Sequence, residues 1–282
     1  MPLTSLQRKL LGIIARNRTP DSYVAGGSVM NVDGVRYSAD LDLFSDRIEA
    51  LAVAVGADVN ALNAAGIAID WQARGDTFHR AVVSDGSSKT RLDWAVDSDY
   101  RFYPVQKDER FGYVLHPVDL ATNKLLAAEG RNEVRDAIDL MTVDAKIMPL
   151  GATAWAAAAK SPGLTPDGII EALRARARFT DAHLSQERLA RRISAAELNT
   201  WLRSTCDAAR AWLGTVPQGY DFGLFVDPHG RPGQPDFSQP DAAAWRIHEG
   251  RRGGAWPSSS EISGEMIQQV ARPRRDDKGP ER

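Results

Sequence analysis

A chain of 282 residues, 43% hydrophobic and 26% charged, has the composition of a globular protein and excludes a fibrous or wholly disordered one. That length suits one sizeable core with a smaller second unit. The formal net charge of −2 gives no general attraction for nucleic acid, so any RNA contact must come from a local basic face. No apolar run approaches the roughly 18 residues that span a bilayer, and Met1-Pro2-Leu3-Thr4 lacks a basic segment leading into an apolar one; a cytoplasmic location is expected.

Thr4 or Ser5 can cap a helix whose Leu6, Leu10, Leu11 and Ile14 recur at helical spacing up to the break Asn17-Arg18-Thr19-Pro20. Tyr23-Val24-Ala25 reads as a short buried strand running into Gly26-Gly27, a tight turn that opens a helix at Ser28. After a turn at Asp33-Gly34, the segment from Ala39 to Phe44 alternates acidic and apolar residues with the two-residue period of a strand, so Asp40 and Asp42 share one face. A helix from about Asp46 to Ala65, ended by Gly66, should cover the sheet. Strand-like runs follow at Ile67–Gln72, Phe78–Val83 and Thr90–Val96, the last two joined by a hairpin turn at Asp85-Gly86-Ser87-Ser88.

From His116 the pattern becomes helical, with Pro117 in a first turn and Asn132 as cap of a second helix through Lys146. Thr165-Pro166 opens another helix, and Ser194-Ala195-Ala196-Glu197 caps one that runs to Gly214 around the lone Cys206, read as a small buried side chain. Beyond Tyr220 the chain is rich in Pro, Gly, Asp, Ser and Arg, and a mobile tail is expected. The resulting division is a catalytic unit over 1–110, a helical unit over 111–220 and a tail over 221–282.

The chemistry lies in the acids. Nucleotide transfer needs divalent ions that bridge a triphosphate and activate the attacking group, and magnesium is held by a few carboxylates plus substrate phosphates. Asp40 and Asp42 at i and i+2, joined by Asp93 from the strand Arg91-Leu92-Asp93-Trp94, suit a two-ion cradle, and Asp93 would otherwise be an acid buried at a cost. The amides after Gly26-Gly27 and the Ser28 hydroxyl can donate to phosphate oxygens. Arg36 can contact phosphate or pair with the aspartates; Arg135 reads as a fork tying its helix to the Asp93 strand. His116 and His79 read as cap or core residues and the tryptophans as core packing. Arg174, Arg176, Arg178, Arg188, Arg191 and Arg192 crowd two expected helices and form a local basic face, with Glu171, Asp181 and Glu187 among them.

The stretches Tyr23-Val24-Ala25-Gly26-Gly27-Ser28 and Arg36-Tyr37-Ser38-Ala39-Asp40-Leu41-Asp42-Leu43-Phe44 resemble the first motif of the AbiEii/AbiGii-type nucleotidyltransferases, within the DNA polymerase β-like superfamily. His116 to Ala127 and Arg135 to Leu140 are similar to that family's lysine and arginine-aspartate motifs, so the likeness covers about the first half of the chain. The resemblance implies an α+β fold, a polymerase β-like mixed sheet with covering helices followed by a helical C-terminal domain. It implies Asp40 and Asp42 as magnesium ligands, Ser28 and Lys124 on the triphosphate of an NTP, and Asp136 or Asp139 as an orienting or base-like carboxylate. It further implies a toxin of a toxin-antitoxin or phage-defence pair, with a cognate antitoxin protein as partner and RNA, including the acceptor end of tRNA, as acceptor. A small-molecule acceptor such as an antibiotic, and a non-catalytic module that docks a partner through the helical half, are the alternatives; an incomplete site would mark the second.

Overall fold

The computed structural model describes residues 3–32 and 34–257. Helix α1 (Ser5–Ile14) begins with a capping box, Thr4 accepting from the Gln7 amide while the Gln7 side chain accepts from the Thr4 amide. Its Leu6, Leu10, Leu11 and Ile14 pack under a mixed sheet with Leu51, Val55 and Leu62 of α3 (Ile48–Ala64). Among the described residues that sheet has seven strands: β1 (Ser22–Ala25), β2 (Asp40–Ser45), β3 (Ala68–Arg74), β4 (Phe78–Ser84), β5 (Lys89–Val96), β7 (Gln106–Asp108) and β8 (Gly112–Val114), in the order β3-β4-β5-β2-β1-β8-β7. The short β6 (Tyr100–Arg101) stands outside it.

The two-residue period sorts the strands. Leu41, Leu43, Ala81, Val83, Leu92 and Trp94 turn toward α1 and α3 and are buried, which sends Asp40, Asp42 and Asp93 to the opposite face. Asp58 of α3 fastens the helix to the sheet, accepting from Arg18 Nη2 and Trp94 Nε1 with no exposed surface. Gly66, at φ +71°, ends α3 in the left-handed region. Of the turn expected at 33–34, Asp33 lies outside the described residues.

The opposite face is covered only in part. Helix α2 (Gly26–Met30), α4 (Pro117–Gly130), α5 (Val134–Lys146), α6 (Leu150–Lys160), α7 (Pro166–Ala175), α8 (Asp181–Leu184) and α9 (Ala195–Leu213) form a second core that reaches Tyr23 and Ala25 of β1. Cys206 lies buried in that core, which pushes its thiol up to about 12. The sheet also crosses the expected boundary at 110, because β8 lies after it and pairs in parallel with β1. The covering core therefore joins the two halves.

Several local expectations need correction. The residue capping α5 is Glu133, not Asn132. Helix α6 was not foreseen: Leu-Gly-Ala-Thr-Ala-Trp-Ala-Ala-Ala-Ala-Lys is apolar on nearly every side, so it carries little periodic contrast. Arg188, Arg191 and Arg192 lie in a loop beyond α8, not on a helix. The stretch expected to be a mobile tail is structured over 221–257. There β9 (Leu224–Val226) pairs with β10 (Arg246–His248), and β11 (Arg251–Arg252) pairs with β6. Phe225 packs among Trp155, Trp212, Tyr220 and Phe237, aromatic burial that offsets the polar composition. The rest of the expected tail, 258–282, lies outside the described residues.

Candidate active site

Strand register assembles the acids. Parallel pairing sets Asp42 beside Asp93 and Asp40 beside Arg91, while antiparallel pairing sets Ala25 beside Asp42. One carboxylate oxygen from each of Asp40, Asp42 and Asp93 lies within 4.8 Å of the other two. The strand ending at Ala25 turns away at Gly26 (φ +72°), and a Cβ there would stand 2.0 Å from Asp42 Oδ2. The glycine is therefore required twice, by its backbone conformation and by its closeness to the carboxylate. Gly27 is nearly as tight, its added Cβ falling 2.7 Å from Arg36 Nη2. We expect Gly26→Ala to push the Asp42 carboxylate out of place, costing about 1–3 kcal/mol of stability and, by misplacement of a reacting group, about 10²-fold in transfer activity; denaturant unfolding and a transfer assay measure the two.

Three hard carboxylates at this spacing fit a divalent ion such as magnesium. The electrostatics agree. Asp42 keeps an edge open to a cleft, yet burial of most of its surroundings, followed by the charge of Asp40 and then Asp93, pushes its carboxyl up to about 7, against the opposing pull of Lys124. Arginines compensate the other two acids. Arg80 of β4 grips Asp93 through both oxygens (2.9 and 2.6 Å), and Arg91 of β5 pairs with Asp40 Oδ2 and lies 3.4 Å from Asp93 Oδ1. Ser38 Oγ donates to Asp40 Oδ1 at 3.1 Å.

On the other side of Asp42 opens a cleft of about 260 Å³, lined by Gly26, Phe44, Asp97, Asn123, Lys124 and Arg131 among others. Lys124 Nζ sits 3.0 Å from both Asp136 Oδ1 and Asp139 Oδ2. Burial alone would lower the lysine, but Asp139 and Asp136 outweigh it and hold the ammonium above its ordinary value. Arg131 makes a forked contact with Asp136 (2.7 and 3.1 Å) while about half of its side chain stays exposed toward solvent and cleft. Asp139 takes a second fork from Arg36 (2.8 and 2.7 Å) and a bond from Asn31.

This arrangement revises several expected roles. Arg36 is 4% exposed and committed to Asp139, neither on Asp40, Asp42 or Asp93 nor free for phosphate. Ser28 is buried and its hydroxyl donates to the Ala25 carbonyl, 3.3 Å away, inside its own turn. Helix α2 has only five residues, too short to offer a strong dipole to an anion. Arg135 makes no bond to Asp93, whose cations are Arg80 and Arg91. His116 caps α4, its Nδ1 accepting from the Val118 amide, and stacks on Tyr103. Three arginines of the expected basic face have partners: Arg174 pairs with Asp207, Arg176 donates to the Ala128 carbonyl and Arg191 reaches Glu197.

Burial pushes Asp136 and Asp139 upward, but Arg131 and Lys124 for the first, and Lys124 and Arg36 for the second, overcome it and leave both carboxyls below their ordinary value. A carboxyl depressed in the folded state contributes stability that is present above its unfolded value and lost as pH falls through the folded one. The two aspartates should therefore make the fold lose stability with acid below the ordinary carboxylate range. Urea unfolding in steps from about pH 5 to about pH 2 measures that loss; Asp136→Asn should flatten the slope.

No protein-family model and no curated protein matches the sequence. The fold does match. MenT4, a nucleotidyltransferase toxin from Mycobacterium tuberculosis H37Rv, superposes with a TM-score of 0.54 over 73% of this chain and 82% of that one, at 13% identity. Cid1, an RNA terminal uridylyl transferase (TM-score 0.28, 12% identity, 87% and 72% covered), and Vibrio cholerae DncV, a cyclic AMP-GMP synthase (0.23, 14%, 70% and 64%), are too distant in shape to add to the argument. The architecture, a mixed sheet with covering helices in an α+β fold, is thus one this chain shares with a nucleotidyltransferase. At this level of identity the likeness defines the fold alone.

Proposed function

We propose that this protein is a magnesium-dependent nucleotidyltransferase that moves a nucleoside monophosphate from an NTP to a hydroxyl of RNA, acting as the toxin of a toxin-antitoxin or phage-defence pair. The observation that carries the reaction is the convergence of Asp40, Asp42 and Asp93 within 4.8 Å on one sheet face, beside a cleft walled by Lys124 and Arg131. A partner-binding module would not need three acids held at a cost with a cationic wall beside them.

Asp40, Asp42 and Asp93 would hold the ions, which supply charge neutralisation of the triphosphate and a lowered pKa for the acceptor hydroxyl. Lys124 and Arg131 face the phosphates from the cleft wall. Asp136 and Asp139 have no exposed surface, so an acceptor cannot reach them and their role is to position Lys124 and Arg131 rather than to take a proton. Asp93, away from the cleft and with part of its side chain exposed, would accept the proton as the acceptor oxygen bonds to the α-phosphorus and pyrophosphate departs.

The test is incubation with each α-labelled NTP, magnesium and total RNA. Label on RNA, lost when magnesium is chelated, is the expected result. Label found only on a small molecule would favour an antibiotic-type acceptor, and no label with any NTP would sink the enzymatic reading. Growth arrest on expression that requires Asp40 and Asp42 would support the toxin role.

A further inference from the structure

The catalytic carboxylates have two cationic edges, and the triphosphate cleft uses one of them. Lys124 and Arg131 stand on the α4 side of Asp42. Arg80 and Arg91 stand on the β4–β5 side, against Asp93 and Asp40, and neither lines the cleft. Both are about one-third exposed (39% and 34%) although each is bound to a catalytic acid.

The sheet around them is open. Along β5 the two-residue period puts Lys89, Arg91 and Asp93 on one face, and pairing puts Arg80 opposite Asp93 and Val82 opposite Arg91. On the neighbouring β3, Asp70 and Gln72 are exposed and joined by a side-chain bond. Helices α1 and α3 cover the reverse face of these strands, whereas the helical half packs at β1. A shallow platform therefore runs from the metal carboxylates across β5 and β4 with Lys89, Arg91 and Arg80 on it.

We propose that this platform receives the acceptor, and that Arg80 and Arg91 bind the phosphodiester next to the attacking hydroxyl of a single-stranded RNA end. The proposal rests on the nucleotidyltransferase reading above and adds the side from which the acceptor enters. With the carboxylates committed to divalent ions, the two guanidiniums lose the charge that now holds them, and a forked cation without a carboxylate is well matched to a phosphate. Their half-open position lets them turn outward without unpacking the core. Arg80 and Arg91 thus neutralise the acids while the site is empty and hold the acceptor strand when it is loaded. Lys89 extends the same strip by one phosphate spacing.

The test measures binding of a short labelled single-stranded RNA by fluorescence anisotropy in magnesium, across a salt series, with binding of magnesium-NTP followed separately. In Arg80→Gln/Arg91→Gln, RNA affinity should fall about 10-fold or more and the salt slope by about 1–2, one phosphate contact per arginine. NTP affinity should stay within about twofold, because the donor cations are untouched. Arg80→Lys/Arg91→Lys should recover most of the salt slope. Lys89→Glu, which touches no acid of the site, gives a variant safe for folding; it should weaken RNA and leave the NTP unchanged.

Unchanged RNA affinity in both the glutamine pair and Lys89→Glu would overturn the proposal while labelled transfer by the wild type left the function standing. Loss of NTP binding instead of RNA binding in the glutamine pair would overturn it too, by assigning the arginines to the donor. A wild type that neither binds NTP nor transfers label removes the function and this inference together.

Discussion

Asp42→Asn is expected to lower nucleotide transfer by about 10³-fold, roughly 4 kcal/mol of transition-state stabilisation, while raising the thermal stability of the metal-free protein. Both effects come from the same crowding. Asp42 faces Asp40 and Asp93 with little solvent around it, and its carboxyl is displaced to about 7. An upward-shifted acid destabilises the fold increasingly as pH rises through that value, since the folded state resists giving up the proton. An uncharged amide of the same shape removes the repulsion and can donate to its neighbours, so the variant should melt higher than the wild type at pH 8 without magnesium. Adding magnesium should raise the Tm of the wild type and leave that of the variant nearly still. Differential scanning fluorimetry with and without magnesium, beside the transfer assay, measures all of this. A variant that loses activity and also melts lower would mean that Asp42 is a structural acid.

The cluster of acids was legible in the sequence to a defined depth. Asp-Leu-Asp-Leu on a strand assigns faces with no knowledge of the rest of the chain, and the buried Leu41 and Leu43 confirm that assignment. Asp93 was recognisable as an acid in a strand-forming run, and Lys124 stands on the cleft wall. The arginines that compensate these acids were harder to see. Arg91 carried a local signal, because it sits two residues before Asp93 and must share its face. Arg80 carried none, since its place opposite Asp93 depends on the register of β4 against β5. Arg36 and Asp139 are 103 residues apart, so their fork belongs to the tertiary fold alone. The same holds for Arg18 and Trp94, which converge on Asp58 from separate elements. Composition misled in one direction as well: the segment after Tyr220 is polar on average, and its order comes from aromatic residues spaced with neither helical nor strand period.

Lys124→Met is expected to cost about 3 kcal/mol of stability, because it leaves two aspartates with no exposed surface short of a shared cation. The figure sits at the low end for a broken buried pair for a structural reason. Asp139 keeps its fork from Arg36 and Asp136 keeps its fork from Arg131, so neither acid is abandoned. The Tm should fall by roughly 5 °C for a chain of this size. Nucleotide binding should weaken in addition, since a charge-assisted phosphate contact is worth about 1.5–3 kcal/mol. Arg131→Gln separates the two effects. Its side chain is half exposed and Asp136 keeps Lys124, so it should weaken nucleotide binding with a smaller fall in Tm than Lys124→Met. If Lys124→Met lowered the Tm but bound NTP as the wild type does, Lys124 would be a strut between α4 and α5, and Arg131 would be the phosphate-binding cation of the cleft.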